Sequence, residues 1–349
     1  MGWMVGNSHS AQSTIFGYIP SSLNLAVFIH VNYNALPKRP GHRSRGWKDS
    51  MELSRPILRL ALAQMNSSNR HSPNIETVAA AAARAAGDDA DVLALPEASG
   101  LMNRNRDESR RIVATEDKDE FIAACREFAS TYRLWIHIGS TPVSAGEGKY
   151  RNRTVLIDDR GRTRARYDKI HLFDVFLPDR PPTGESKRYD PGEEAVLVDT
   201  PWGPWGLSIC YDIRFPHLYR GYAANGATIL FAPSAFTVPT GRAHWEVLLR
   251  ARAIENGAWI VAPAQVGKHD DGRITYGHSM IVDPWGHVVV DLGGVAPDQA
   301  IAVLDLKEAA AARKQIPSLK NERSYSFRRE DARNPLRSVS IAKMEDENA

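Results

Sequence analysis

Short apolar runs alternate with stretches of helical periodicity along this chain, and two tight-turn signatures interrupt the alternation. Residues 57–65 (ILRLALAQM) alternate apolar and polar side chains and then become continuously small and apolar, as a half-buried strand entering a core does. Ser72-Pro73 reads as a helix N-cap and first helical residue, opening an alanine-rich helix to about residue 86. A short apolar run, 92–97 (VLALPE), ends in a carboxylate. The spacing predicts a helix over 118–131, with Phe121, Ile122, Cys125 and Phe128 on one face, and a strand over 135–141. Residues 153–158 and 164–170 flank Asp158-Asp159-Arg160-Gly161, a hairpin turn, and 279–283 and 287–292 flank a second one at Pro284-Trp285-Gly286. Between the hairpins the pattern predicts strands over 206–210, 228–234 and 259–266, and helices over 216–225 and 243–256. Residues 300–306 read as a final strand. Strands and helices in alternation, with hairpins among them, require a layered α/β fold whose sheets are not purely parallel. No internal repeat is evident.

Composition narrows the function. Hydrophobic residues make up 43% of the 349 and charged residues 24%, enough apolar side chain for one large core. No window approaches the roughly 18 uninterrupted apolar residues of a membrane span. The formal charge of +3 resides at the start: residues 1–55 hold six bases and two acids, so residues 56–349 carry 38 bases against 39 acids. A nucleic-acid binder concentrates Lys and Arg on its folded part, and this chain does not. Residues 1–55 also lack the charge order and cleavage site of a secretory signal. Their scarcity of acids suits an organellar transit peptide, but no amphipathic helix accompanies it. The expectation is a disordered extension, or a stretch translated upstream of a start at Met51. Residues 56–317 read as one domain and 318–349 as a polar tail. Two cysteines, Cys125 and Cys210, cannot form a disulfide framework and suit a reducing, cytoplasmic compartment.

Three residues invite chemistry. Cys210 ends a strand at a turn into a helix, where a thiol points out of the sheet and the helix N-terminus favours the thiolate. The competing reading is a buried small hydrophobe, which is how Cys125 is read. Glu97 directly follows a buried strand, where a carboxylate either caps the next loop or is tuned by burial into a base. Lys169 lies among Ile170, Leu172 and Phe173, a costly place for an ammonium without a carboxylate or oxyanion nearby, unless it snorkels to the surface. His171 and Asp174 invite a Cys-His or metal reading, but no histidines show paired ligand spacing, so no metal is expected. A Cys nucleophile, a Glu that moves its proton and a Lys facing a tetrahedral oxyanion suffice for acyl transfer from an amide without a cofactor. The glycine-rich loop of a nucleotide enzyme is missing.

Leu95-Pro96-Glu97, the octapeptide Tyr167 to Asp174 (YDKIHLFD) and the octapeptide Ile209 to Pro216 (ICYDIRFP) resemble the three signatures of the nitrilase superfamily of carbon–nitrogen hydrolases. They occur in that family's order, at intervals of 72 and 41 residues from Glu97 to Lys169 to Cys210. The similarity runs from about Ile57 to about Pro317 and includes FAPSAF (231–236), the segment from Ala243 to Asn256, and YGHSMIVDPWG (276–286). The resemblance implies a four-layer α-β-β-α sandwich with mixed sheets, which in the family pairs into a homodimer or larger homo-oligomer. It also implies that Glu97 is the general base, Lys169 the oxyanion stabiliser and Cys210 the nucleophile, with the Tyr211 N–H completing the oxyanion hole. Glu185, 16 residues beyond Lys169, matches a second glutamate that positions the lysine, its other reading being a solvated loop acid.

Tyr211-Asp212, where true nitrilases carry Trp-Glu, points to amides. The His-Leu-Phe-Asp and Ala-His-Trp-Glu segments resemble the branch of deaminated-glutathione amidase and omega-amidase, and Tyr276-Gly277-His278-Ser279 leans towards the former. Arg242 replaces a proline frequent in that segment, and residues 1–55 have no counterpart. Arg214 either grips the α-keto acid carboxylate of such substrates by a bidentate fork or pairs with Asp212 or a neighbouring acid. The expected function is therefore a cofactor-independent amidase that releases ammonia from a small linear carboxamide through a cysteine thioester. The alternatives are an N-carbamoyl amino acid amidohydrolase, an aliphatic nitrilase, and a catalytically silent dimeric binding module. A papain-like protease would leave the Lys169 motif without a role.

Overall fold

A computed structural model of the chain describes residues 55–176, 183–330, 333 and 338–341. The expected leader lies outside them except for Arg55. Two six-stranded mixed sheets form the centre. The first runs Asp298–Asp305, Ile57–Gln64, Val92–Ala94, Trp135–Gly146, Lys149–Ile157, Thr163–Asp168; the second runs Leu197–Thr200, Gly203–Gly206, Ile229–Phe231, Trp259–Ala262, Met280–Val282, Val288–Asp291.

Alternation along Ile57–Gln64 explains why the sheets stack. Leu58, Leu60 and Leu62 face inward and pack with Trp202, Trp205, Leu207 and Phe231 of the second half. The opposite face offers Ala61 and Ala63, and against it lie Val78, Ala82 and Ala85 of the helix His71–Gly87 and Phe121, Ile122, Cys125 and Ala129 of the helix Glu120–Tyr132. On the second sheet the helices Pro216–Ala224 and Val238–Asn256 play the same part through Tyr219, Tyr222, Trp245 and Leu249. The layers are therefore helix, sheet, sheet, helix. Cys125 is fully buried in the first helix layer, as a core thiol. No helix among the described residues is long and apolar enough to cross a membrane.

The two sheets share one plan. In each, two parallel pairings at the centre are flanked by one antiparallel strand on one side and two on the other. The repetition lies in backbone pairing and not in the sequence, because many different apolar side chains satisfy the same pairing equally well.

Several boundaries differ from the sequence reading. The first helix begins at His71 with Arg70 as its N-cap, and the Ser72 hydroxyl instead donates to Glu76. The long helix starts at Val238, five residues before Ala243. Pro239 lies in its first turn, where a missing N–H costs nothing, and Gly241 presses against Tyr276 where a Cβ would collide with the ring. The ladder of the strand expected over 206–210 ends at Gly206. Helices Arg106–Ile112 and Lys307–Gln315 were not expected. In the tail, Phe327–Glu330 pairs with Ser338–Ile341.

Candidate active site

Strand ends of both sheets meet at one place. Leu95 and Pro96 carry the chain off Val92–Ala94, and Gly139 on the neighbouring strand lets it pass, since a Cβ there would run into the Leu95 and Pro96 carbonyl groups. Ala98 follows with φ of 56°, its N–H donating to Ser140 Oγ at 2.8 Å, and Gln265 Nε2 donates to the Glu97 carbonyl at 2.9 Å. The backbone of Glu97 is thereby fixed from two sides. Its side chain is 9% exposed: Oε1 accepts from Lys169 Nζ at 3.0 Å and Asn152 Nδ2 at 3.1 Å, and Oε2 accepts from the Ala235 N–H at 2.9 Å.

Lys169 follows the edge strand Thr163–Asp168, its N–H donating to Asn152 O and its carbonyl accepting from Gly192. It is 2% exposed, and besides Glu97 its ammonium donates to both oxygens of Glu185, at 2.9 and 3.2 Å. Burial opposes its charge. Glu185, Glu97 and Cys210 outweigh that burial and hold its pKa well above the ordinary lysine value. Glu185 opens a short turn and is itself anchored by the Phe173 N–H at 2.6 Å and by Asn152 Nδ2 at 3.3 Å. It is thus bound to Lys169, not a solvated loop acid.

Cys210 opens the 3-10 turn Cys210–Arg214, with φ of 49° and its N–H on Pro233 O at 2.9 Å. A left-handed backbone at a non-glycine residue costs roughly 1–2 kcal/mol, and here it stands where the chain leaves the sheet. The expectation of a thiolate favoured by a helix terminus is corrected. Burial, then the Glu97 charge, push the thiol well above its ordinary pKa, while Lys169 and the Ala235 N–H pull the other way. The next α-helix begins only at Pro216, too far on to dominate. Burial and the Glu97 charge keep the resting thiol protonated.

The structure therefore brings Glu97, Lys169, Glu185 and Cys210 together. The Tyr211 N–H has no acceptor among the described residues, and the Tyr211 ring stands edge-on to Phe173 and Phe215, with centroids 5.2 and 5.4 Å away. Arg214 is not paired with Asp212. Its guanidinium lies 3.3 Å from His244 Nδ1 and over the rings of Phe236 and Tyr211, and no carboxylate among the described residues is within ion-pair distance of it. His171 and Asp174 do not converge on a metal: His171 bonds to Asp212, and Asp174 accepts from the Ser186 N–H.

Asn152 escaped the sequence reading. It bridges Glu97 and Glu185, and the alternation of Lys149–Ile157, with Tyr150, Asn152 and Thr154 buried, was the available signal for an inward amide. A thiol, a carboxylate within its reach and an ammonium beside both supply a nucleophile, a proton carrier and a positive charge for a developing oxyanion.

The family model described as carbon–nitrogen hydrolase matches residues 59–314. A deaminated glutathione amidase of Yersinia enterocolitica is 45% identical over 208 residues, 58% of this chain and 71% of that protein. One from Synechocystis sp. is 39% identical over 271 residues, 76% of this chain and 98% of the relative. Among solved structures, the NitFhit protein of C. elegans matches with a TM-score of 0.71 at 38% identity, covering 76% of this chain and 65% of that longer one. An amidase from Nesterenkonia sp. AN1, whose structure shows Michael addition of acrylamide at its active-site cysteine, matches with a TM-score of 0.62 at 26% identity, covering 74% of this chain and 98% of that one.

Proposed function

The chain belongs to the carbon–nitrogen hydrolase family, as a hydrolase of amides, and from that premise we propose that it cleaves a small α-keto acid amide through a thioester on Cys210, with deaminated glutathione as the substrate. The observation that supports this most is the Glu97–Lys169–Glu185 ion cluster buried beside a strained cysteine.

Cys210 Sγ attacks the amide carbonyl carbon while its proton passes to Glu97. A thiol with a raised pKa needs such a partner, and Glu97 is the carboxylate whose charge acts on it. The carbonyl oxygen takes up negative charge between the Lys169 ammonium and the Tyr211 N–H, a pre-set arrangement of the kind that accounts for about 10²–10³ in rate per donor. Glu97 returns the proton to nitrogen, the C–N bond breaks, and the amine leaves: cysteinylglycine from deaminated glutathione, ammonia from a primary amide. Water then attacks the thioester with Glu97 taking its proton. The C–S bond breaks, the thiolate recovers a proton from Glu97, and the acid departs. Glu185 and Asn152 hold Lys169 and Glu97 in place throughout. Arg214, free of any carboxylate among the described residues, offers its fork to the keto acid carboxylate.

Val247 and Ile254, seven residues apart on the helix Val238–Asn256, stand exposed with Trp285 and Ile316 beside that outer layer. Such a face suits burial in a homodimer. A free-thiol reaction suits the cytoplasm, where thiols stay reduced.

The test is hydrolysis of deaminated glutathione, read as release of cysteinylglycine, against ammonia release from α-ketoglutaramate and from N-carbamoyl amino acids. Turnover of the first above the others is expected, and carbon dioxide released together with ammonia would instead identify an N-carbamoyl amidohydrolase. Cys210→Ala is expected to abolish release with the fold intact, and Cys125→Ala to leave it near normal. Equal loss from both substitutions contradicts the assignment.

A further inference from the structure

Asp212 carries a buried carboxylate that the proposed reaction does not use. It is 0% exposed, and four donors converge on it. Oδ2 accepts from the Ile209 N–H at 2.8 Å and the Tyr167 hydroxyl at 2.7 Å. Oδ1 accepts from the His171 N–H at 3.0 Å and lies 2.7 Å from His171 Nδ1, which must donate because a carboxylate only accepts. Among the described residues no arginine or lysine is within ion-pair distance of it. The His171 ring is held flat against Phe215 at 3.5 Å and 7° between planes, so its Nδ1 is fixed in direction.

The placement of these partners is what matters. Ile209 immediately precedes the Cys210 elbow. Tyr167 and His171 stand two residues before and two residues after Lys169. The elbow belongs to the second sheet's run of chain and Lys169 to the first sheet's, 41 residues earlier. Nothing covalent nearby sets the distance between sulfur and ammonium; one carboxylate bound to both segments does. Burial and the Asp212 charge hold the Tyr167 phenol well above its ordinary pKa, so it remains a donor at any pH the protein meets.

We propose that Asp212, with His171 and Tyr167 as its fixed donors, is the positioning residue that registers the Cys210 elbow against Lys169 and Glu97. This rests on the cysteine-amidase reading above. A carboxylate that only capped the 3-10 turn would need the Ile209 N–H alone; the three donors that flank Lys169 have no part in capping. Misplacing a nucleophile by about 1 Å costs on the order of 10²-fold in rate.

The experiment compares wild type with Asp212→Asn, Tyr167→Phe and His171→Asn, with kcat expressed per Cys210 thiol titrated by iodoacetamide. This counts only intact sites and removes the effect of partial unfolding. Asp212→Asn is expected to lower kcat about 100-fold with KM within about threefold, and the single-donor variants to lower it about tenfold each. A kcat per titrated thiol within threefold of wild type in all three variants overturns the proposal. If Asp212→Asn does not fold, Tyr167→Phe, which removes one oxygen, decides the matter by the same criterion. A wild type that hydrolyses no amide, releasing neither ammonia nor an amine, defeats the amidase reading. The positioning claim is then read from the rate of Cys210 alkylation, expected to fall about tenfold in Tyr167→Phe and overturned by an unchanged rate.

Discussion

The two sheets of this molecule follow the same plan and end differently. Val92–Ala94 pairs with Trp135 onward in the register in which Ile229–Phe231 pairs with Trp259 onward. The hairpins agree in detail: Asp158 Oδ1 accepts from the N–H groups of Arg160 and Arg162, and Asp283 Oδ1 from those of Trp285 and His287. A bulge falls at the matching place in each, at Leu156/Ile157 and at Ile281/Val282. The strand ends do not agree. Where the first half runs Leu95-Pro96-Glu97-Ala98, the second runs Ala232-Pro233-Ser234-Ala235. Register carried from strand to strand likewise sets Met65 against Cys210, and His137 against Val261. Backbone pairing constrains where a chain can go; what stands at the strand ends is free to vary. The site is assembled from the unlike ends of two like halves.

That comparison is broken most sharply at Glu97 and its counterpart. Glu97→Gln is expected to reduce kcat about 10³-fold, the scale of a lost proton carrier. Ser234→Ala removes a hydroxyl that bonds only Ala232 O and the change is expected to leave kcat within threefold, with about 1 kcal/mol lost in denaturant melts. Comparable losses of kcat at both positions would mean that the halves are chemically interchangeable.

His137 and Val261 give the next largest effect, in stability. His137 is fully buried, stacked on Phe231 at 4.2 Å, and neither ring nitrogen has a hydrogen-bond partner. Burial lowers its pKa to about 3. The unfolded chain binds a proton below about 6.5 that the folded chain refuses, so stability falls as pH drops from 6.5 towards 3, by about 2 kcal/mol at pH 5. His137→Val, which installs the other half's residue, is expected to remove that part of the slope between pH 7 and pH 5. An unchanged slope in urea melts at the two pH values would show that another group is responsible.

The hairpins should differ least. Asp158→Ala is expected to cost about 2 kcal/mol and Asp283→Ala about 1, because Arg162 and Arg164 both add side-chain bonds to Asp158 where His287 alone adds one to Asp283. Burial alone would raise the Asp158 carboxyl, but the Arg162 and Arg160 N–H groups and Arg164 hold it below the ordinary value. Its contribution is therefore present above the unfolded pKa and is lost as acid is added through the folded one. Urea melts at pH 7 and pH 3 check both statements.

Much of the layout was readable beforehand because burial writes itself into period. Leu58, Leu60 and Leu62 alternate with residues of the other face, and the helix face of Phe121, Ile122 and Cys125 repeats at the right spacing. Glu97, Lys169 and Cys210 drew attention through short motifs at strand ends. The ionic partnership among them was not, since nothing in the spacing of 72 and 41 residues fixes a distance of 3.0 Å. The contacts of Asn152 and Asp212 were missed for the same reason: an amide and an acid in ordinary strand and turn positions acquire meaning only from what the fold sets opposite them. The protonated state of Cys210 was misjudged because a turn follows it instead of a helix, leaving burial and Glu97 to decide.

The most direct measurement is the mass of the enzyme a few milliseconds after mixing with a keto acid amide, quenched in acid and followed by peptide mapping. The account predicts an acyl adduct confined to the peptide carrying Cys210, formed at the rate of the burst of released amine and absent in Cys210→Ala. Turnover at the full rate with no adduct on that peptide, or with the adduct on Cys125, would contradict it.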